Sequence, residues 1–325
     1  MSITISAPGK LMLMGEHAVV FGKPSIVTAV NHRIYATLET ISEPKIILNA
    51  PEVGLENYQK ALSDLGTGQI PKEASFVEHS VKNFIAKYPI QNGLQITTKA
   101  GFSSKFGFGS SSAVTVCVVK GLSEIFGLNL SNQETFEISY KTVLDVQGKG
   151  SGFDIAAAVW GGTILFQNKD EVVEPLDIPN FDLVVGYTGK KYETVKVLDE
   201  VKATENQFPD IVQGTYSNIE ILVQKAVAMI KTGDENLLQN LGMLMNFNQG
   251  QLDTLGVNCL ELAEIIYSAR NAGAFGSKLS GSGKGDCAVA LVDNSNKSQV
   301  AETISQKGYE VIDIVVNAEG VRVEK

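Results

Sequence analysis

The chain is short of most features that mark a secreted, membrane-borne or nucleic-acid-binding protein. Only three of its 325 residues are cysteines: Cys117, Cys259 and Cys287, far apart and with no Cys-x-x-Cys pair. That excludes a disulfide framework and a cysteine-rich zinc site. It predicts three buried, reduced thiols in a reducing compartment. No apolar run reaches the ~18 residues needed to span a bilayer, and Met1 to Lys10 has no basic region followed by an apolar one, as a signal peptide would. A cytoplasmic protein with no membrane partner is therefore expected. Positive charge is also in deficit. The 27 Lys and Arg face 36 Asp and Glu, for a net charge of −9, so the basic surface of a general nucleic-acid binder is excluded. Repeats and low-complexity tracts are missing too.

What remains is ordinary globular composition, 44% hydrophobic and 19% charged, in a chain long enough for two domains at roughly 100–200 residues each. Alternation at Ile3, Ile5 and Ala7 predicts a strand ending at Pro8-Gly9, and Ile34 to Leu38 predicts another. Helical spacing runs from Phe76 to Tyr88, and Leu94 to Thr98 is strand-like. Ala113 to Phe126 is apolar on almost all sides and stops at Gly127, which predicts a buried helix. Ser131 and Glu134 form a capping-box pattern for the next helix. A short helix over Ile155–Val159 and a strand over Thr163–Phe166 follow. The polar stretch Asn168 to Pro179 is the expected boundary between domains at 1–170 and 171–325. Beyond it lie a strand at Phe181–Tyr187, three helical stretches up to Ala272, a strand at Lys278–Ser280, and an alternation of strands and one helix that closes the chain.

Three glycine-rich loops interrupt these elements. Gly107-Phe108-Gly109-Ser110-Ser111-Ser112-Ala113 leads straight into the buried helix. Glycine lets the backbone approach an anion closely, and a helix N-terminus offers unpaired N–H groups with the positive end of the dipole. Serine hydroxyls add donors, and one can ligate Mg²⁺. This is the physics of a phosphate cradle. A dinucleotide fingerprint needs a third Gly or Ala where Ser112 stands, and a P-loop needs Gly-Lys-Ser/Thr, whereas Lys284 is followed by Gly285. Neither of those two cradles is present.

The loops resemble those of the GHMP kinases, in order and over nearly the whole chain. Ala7-Pro8-Gly9-Lys10-Leu11 with Gly15-Glu16-His17-Ala18-Val19-Val20 is similar to the first motif of that family. The segment 107–113 is similar to the second, the ATP phosphate loop, and Lys278 to Cys287 to the third. The first motif, Gly-Glu-His-Ala-Val-Val-Phe-Gly-Lys-Pro, resembles mevalonate kinases. Lys105 to Ser111, Gly150 to Asp154 and Gly285-Asp286-Cys287 are more like phosphomevalonate kinases. The first motif touches the acceptor in the family and weighs toward mevalonate.

The resemblance implies an α+β fold of two domains: an N-terminal domain like the second domain of ribosomal protein S5 and a ferredoxin-like C-terminal domain, with the active site between them. It implies ATP and Mg²⁺, a small-molecule acceptor and a homodimer. Asp154 reads as the catalytic base, or otherwise as a helix N-cap; Lys10 reads as its electrostatic partner, or otherwise as a surface lysine. The expected ATP-binding residues are Lys105, Gly107, Phe108, Gly109, Ser110, Ser111, Ser112, Ala113 and Gly283, with Ser111 as metal ligand. The expected acceptor-binding residues are Glu16, His17, Gly152, Ser280 and Gly281. Lys284 reads equally as a phosphate ligand or a solvated side chain. Two positions depart from the family's pattern. Val143 stands where mevalonate kinases carry a metal-binding Glu, with Asp145 nearby as a substitute, and Gly150 stands in place of a Pro. A phosphomevalonate kinase would draw on Lys105, Lys149 and Lys284 for the extra phosphate. A non-catalytic ligand sensor on the same fold would be expected to have lost Asp154 or Lys10.

Overall fold

A computed structural model describes residues 2–102, 104–170 and 172–324. In chain order the strands are β1 (Ser2–Met14), β2 (Ser25–Ile41), β3 (Lys45–Ala50), β4 (Leu55–Ala61), β5 (Gly93–Ala100), β6 (Thr163–Gln167), β7 (Val172–Pro175), β8 (Asp182–Tyr187), β9 (Gly276–Ser280), β10 (Cys287–Val292), β11 (Glu310–Ile312) and β12 (Arg322–Val323). The α-helices are α1 (Lys72–Lys87), α2 (Ser110–Ile125), α3 (Asn132–Gln147), α4 (Phe153–Trp160), α5 (Thr194–Gln207), α6 (Pro209–Thr232), α7 (Leu237–Thr254), α8 (Leu260–Asn271) and α9 (Lys297–Gln306).

Two sheets organise the molecule. The first is eight-stranded, in the order β12-β1-β2-β5-β3-β4, with β6 pairing β2 and β7 pairing β6. The second is ordered β11-β8-β10-β9, and its pairs are all antiparallel. In chain order that is fourth, first, third, second, the arrangement expected of a ferredoxin-like unit. The chain beyond residue 171 is not confined to the second sheet. β7 extends the first one, and β12 returns to pair with β1, Ile5 opposite Val323.

β1 does not end at Pro8-Gly9 but runs on to Met14. Its register against β2 shifts between Pro8 and Gly9, so the irregularity absorbs the amide hydrogen that proline lacks. The shift lets another segment come close: Lys10 N–H donates to the carbonyl of Phe108 at 3.0 Å. A Cβ on Gly9 would stand 3.1 Å from that same carbonyl oxygen. The strand's break with β2 is thus where the phosphate loop attaches.

Helix α2 is the spine of the first core. Val116, Cys117, Val118, Val119 and Leu122 are all buried, and the helix packs on β1 and β2. Transfer of each such side chain from water is worth about 1.5–3 kcal/mol, which fixes the helix axis and therefore where its N-terminus points. α3 opens on the expected capping box: Ser131 Oγ accepts from Glu134 N–H, and Glu134 accepts from Ser131 N–H. Cys117 and Cys287 are buried, while Cys259 is half-buried at the N-cap of α8. Among the described residues no helix is long and apolar enough to cross a membrane.

Candidate active site

A cleft of about 310 Å³ opens between the two sheets. One wall is the phosphate loop with the first turn of α2. The turn 150–154 forms the second, Gly281, Ser282 and Asp286 the third, and the segment 191–198 at the start of α5 roofs it.

The loop 107–113 opens helix α2 on the cleft wall. Gly109 is the N-cap of α2 and no side chain caps the helix. The first intrahelical bond runs from Ala113 N–H to Gly109 carbonyl. The amides of Ser110, Ser111 and Ser112 precede it and have no partner within the helix, at the positive end of its dipole. Gly107 and Gly109 line the cleft with these three serines. Phe108 serves differently: its side chain is buried in an aromatic group with His32, Phe102 and Phe106, and only its carbonyl reaches the site, through Lys10. Ala113 is packed in the core. Lys105 is exposed and lies off the cleft wall.

Lys10 and Asp154 meet, although 144 residues separate them in the chain. Lys10 Nζ donates to the Gly107 carbonyl at 3.0 Å, stands over the Phe153 ring at 5.0 Å from its centroid, and lies 4.0 Å from Asp154 Oδ1. Lys10 is buried rather than a surface lysine. Asp154 is not the N-cap of α4: Gly152 is, and Asp154 sits in the first turn. Its side chain is 31% open to the cleft, yet Oδ1 is buried and has no hydrogen-bond partner. Burial raises its carboxyl above the ordinary range, opposed by the Lys10 charge and by its own amide. A carboxylate with a spare, buried oxygen and a raised proton affinity is suited to accept a proton.

Glu16 and Lys278 form a second pair, in direct contact and almost wholly buried. Asn248 donates to Glu16 Oε2 at 3.1 Å, and Lys278 Nζ also donates to the Leu279 carbonyl at 2.6 Å. Burial pushes the Glu16 carboxyl up and the Lys278 ammonium down, and their contact opposes both shifts. The neighbouring residue, His17, takes a left-handed φ of 62°. His17 Nε2 is 2.9 Å from the Ser282 carbonyl. A carbonyl only accepts, so Nε2 carries the proton. Nδ1 is then a buried lone pair with no partner, and burial depresses the ring's pKa to about 4. His17 thus lines the cleft as a neutral ring with one nitrogen unpartnered.

The remaining expected residues divide. Gly152 and Gly281 lie on the cleft wall. Ser280 lies off it, its hydroxyl taken up between the amide and carbonyl of Met12. Gly283 is packed against the Val257 carbonyl. Lys284 turns to Glu200 of α5.

Among the described residues there is no cluster of three His, Cys, Asp or Glu that could hold a metal ion. Val143 is on the cleft wall. Asp145 is not, since its carboxylate is occupied by Asn83 and Lys141 at 2.9 and 2.8 Å. Residues 191–195 and Leu198 line the cleft without having been singled out from sequence, and Asp286 lines it without having been given a role. For Asp286 the available signal was its place in Gly285-Asp286-Cys287.

Two family models match the chain: the N-terminal domain of GHMP kinases over residues 75–162 and their C-terminal domain over 226–310. The mevalonate kinase of Thermococcus sibiricus is 32% identical, covering 100% of this chain and 99% of its own. Among solved structures, the Lin0012 protein of Listeria innocua superposes with a TM-score of 0.88 at 23% identity, covering 100% of both chains. An L. major mevalonate kinase in complex with R-mevalonate superposes at 0.76 and 27% identity, covering 96% of this chain and 94% of that one. With both family domains in order on one chain and a full-length relative above 30% identity, the protein belongs to the GHMP kinase family.

Proposed function

We propose that this kinase transfers the γ-phosphoryl group of ATP to the alcohol of (R)-mevalonate, giving ADP and 5-phosphomevalonate. The observation that carries the reading is the Lys10–Asp154 gap of 4.0 Å at the mouth of the phosphate loop. It leaves room for an alcohol oxygen between a proton acceptor and a cation. The amides of 110–112 hold the nucleotide phosphates. The acceptor oxygen gives its proton to the Asp154 carboxylate and bonds to the γ-phosphorus. The bond from that phosphorus to the bridging oxygen breaks, and its electron pair leaves with ADP. Lys10 offsets the charge that develops on the transferred group. His17 Nδ1 accepts a second hydroxyl and orients the substrate.

The donor set suits Mg²⁺ carried in on the nucleotide, which keeps several waters and phosphate oxygens as ligands. Ser111, in the first turn of α2 on the cleft wall, would add its hydroxyl. Such an ion would neutralise phosphate charge.

Phosphomevalonate as acceptor would require lysines ready for a second phosphate. Lys149 is paired with Asp199 at 2.8 Å and Lys284 with Glu200, and Lys105 is off the cleft. Lys149 and Lys191 line the cleft, and a second phosphate held there is the alternative reading. A coupled ADP-release assay with mevalonate and phosphomevalonate in parallel tests the choice. Mevalonate is expected to be preferred, and a preference for phosphomevalonate overturns the assignment.

A further inference from the structure

Asp286 is a buried carboxylate in the cleft wall that none of the roles above uses. Its main chain is anchored three times: its N–H donates to the Lys190 carbonyl at 2.8 Å, and its own carbonyl accepts from the amide and the hydroxyl of Thr188, each at 3.0 Å. Its φ is 59°, in the left-handed region, where glycine would sit without strain. The residue is 7% exposed, and Oδ1 is buried with no hydrogen-bond partner. Glycine at this position would remove the strain and the orphaned oxygen while keeping all three main-chain bonds. The molecule thus carries two costs for one side chain, and such costs mark a functional site more often than a structural one.

The carboxyl lies against the phosphate loop. A Cβ on Gly107, whose φ is 71°, would stand 2.9 Å from Asp286 Oδ2. The carbonyl of that same Gly107 accepts from Lys10 Nζ at 3.0 Å. Gly107 is therefore held between Lys10 and Asp286. The next residue repeats the link, the Cys287 thiol donating to the Phe106 carbonyl at 3.3 Å. The charges acting on Asp286 are those of Lys10 and Lys191. Lys10 thus lies in the field of two carboxylates on different walls.

The gap between Lys10 and Asp154 is the second observation. A charge-assisted contact normally closes to about 2.7–2.9 Å, yet this one stands at 4.0 Å. Lys10 Nζ is bonded instead to the Gly107 carbonyl.

We propose that Asp286 is a positioning residue for phosphoryl transfer, holding the Lys10 ammonium off Asp154 and fixing Gly107, so that the acceptor oxygen fits between base and cation. The inference rests on the kinase reading above. Asp286→Asn keeps the side chain's shape and an oxygen for the Tyr192 amide that bonds it. Its kcat is expected to fall on the order of 10²-fold, as a displacement of about 1 Å at a reacting centre does. KM for both substrates should move by no more than about threefold, the pattern of an interaction made in the transition state. Asp286→Gly, free of backbone strain, should fold and show the same loss. In a Lys10→Met background Asp286→Asn should cost less than about threefold, because coupled residues are not additive. Wild-type kcat in the Asn and Gly variants, or an undiminished loss in the Lys10→Met background, overturns the proposal. The wild-type assay run alongside separates this outcome from a failure of the mevalonate reading. Independently of any acceptor, a crystal structure of Asp286→Asn should show Lys10 Nζ in contact with Asp154, and an unchanged gap overturns the proposal.

Discussion

Two lysine–carboxylate pairs share one cleft and differ in almost every respect. Lys278 and Glu16 touch, are buried, and are saturated with further bonds from Asn248 and to Leu279. Lys10 and Asp154 stand 4.0 Å apart, and an oxygen of Asp154 is left unpartnered. A saturated pair holds a structure in place. An unsaturated one keeps its hydrogen-bonding capacity for a substrate. The difference cannot be seen in residue types, only in what surrounds them.

The largest effect that tests this contrast falls on the open pair. Asp154→Ala should lower kcat by about 10²–10⁴-fold, the range for loss of a general base, while nucleotide affinity measured by fluorescence titration stays near wild type. Retained turnover would remove Asp154 as the base. Next comes the closed pair. Lys278→Met leaves a buried carboxylate alone and should cost about 3–5 kcal/mol in a denaturant titration, and adding Glu16→Gln should recover much of it. A single variant as stable as wild type would mean that the unpaired Glu16 is not left charged and buried.

A smaller effect concerns His17 itself. Its pKa is depressed in the folded state, from 6.5 to about 4, so the unfolded chain binds the extra proton first. Its contribution is whole above about pH 6.5 and is lost as pH falls toward 4. Urea midpoints between pH 7.5 and 4.5 should decline over that window, and less so in His17→Gln. Equal declines in both proteins would contradict the buried, neutral ring. The smallest effect belongs to the solvated pairs tying α5 to the loops, Lys149–Asp199 and Lys284–Glu200. Replacing either lysine with alanine should leave the melting midpoint unchanged, since exposed pairs contribute little. A large drop would give α5 a structural weight that its pairs do not explain.

Legibility followed locality. α2 and α3 could be read from the chain because periodicity, a glycine stop and a capping box all lie within a few residues of one another. α5 could not: its buried face is only Val197, Val201 and Glu205, too thin a stripe to stand out. β3 and β4 were missed because half of β4 is exposed, and β12 because two residues carry no pattern. Lys278 read as an ordinary strand residue. Its ammonium is buried only because Glu16 comes to meet it from 262 positions away. Asp286 read only as part of the Gly285-Asp286-Cys287 likeness to phosphomevalonate kinases, and its approach to Gly107 is a matter of tertiary structure.

The sequence by itself determined the chemistry on offer: a helix N-terminus preceded by glycines and followed by hydroxyls, a lysine after a Pro-Gly step, and an aspartate at the start of a short apolar helix. These are local properties of the backbone, written in neighbouring residues. Tertiary structure alone decided which charges would be neutralised and which left open. Burial and pairing are properties of distance in space, and the folded sheets, not the order of residues, set those distances.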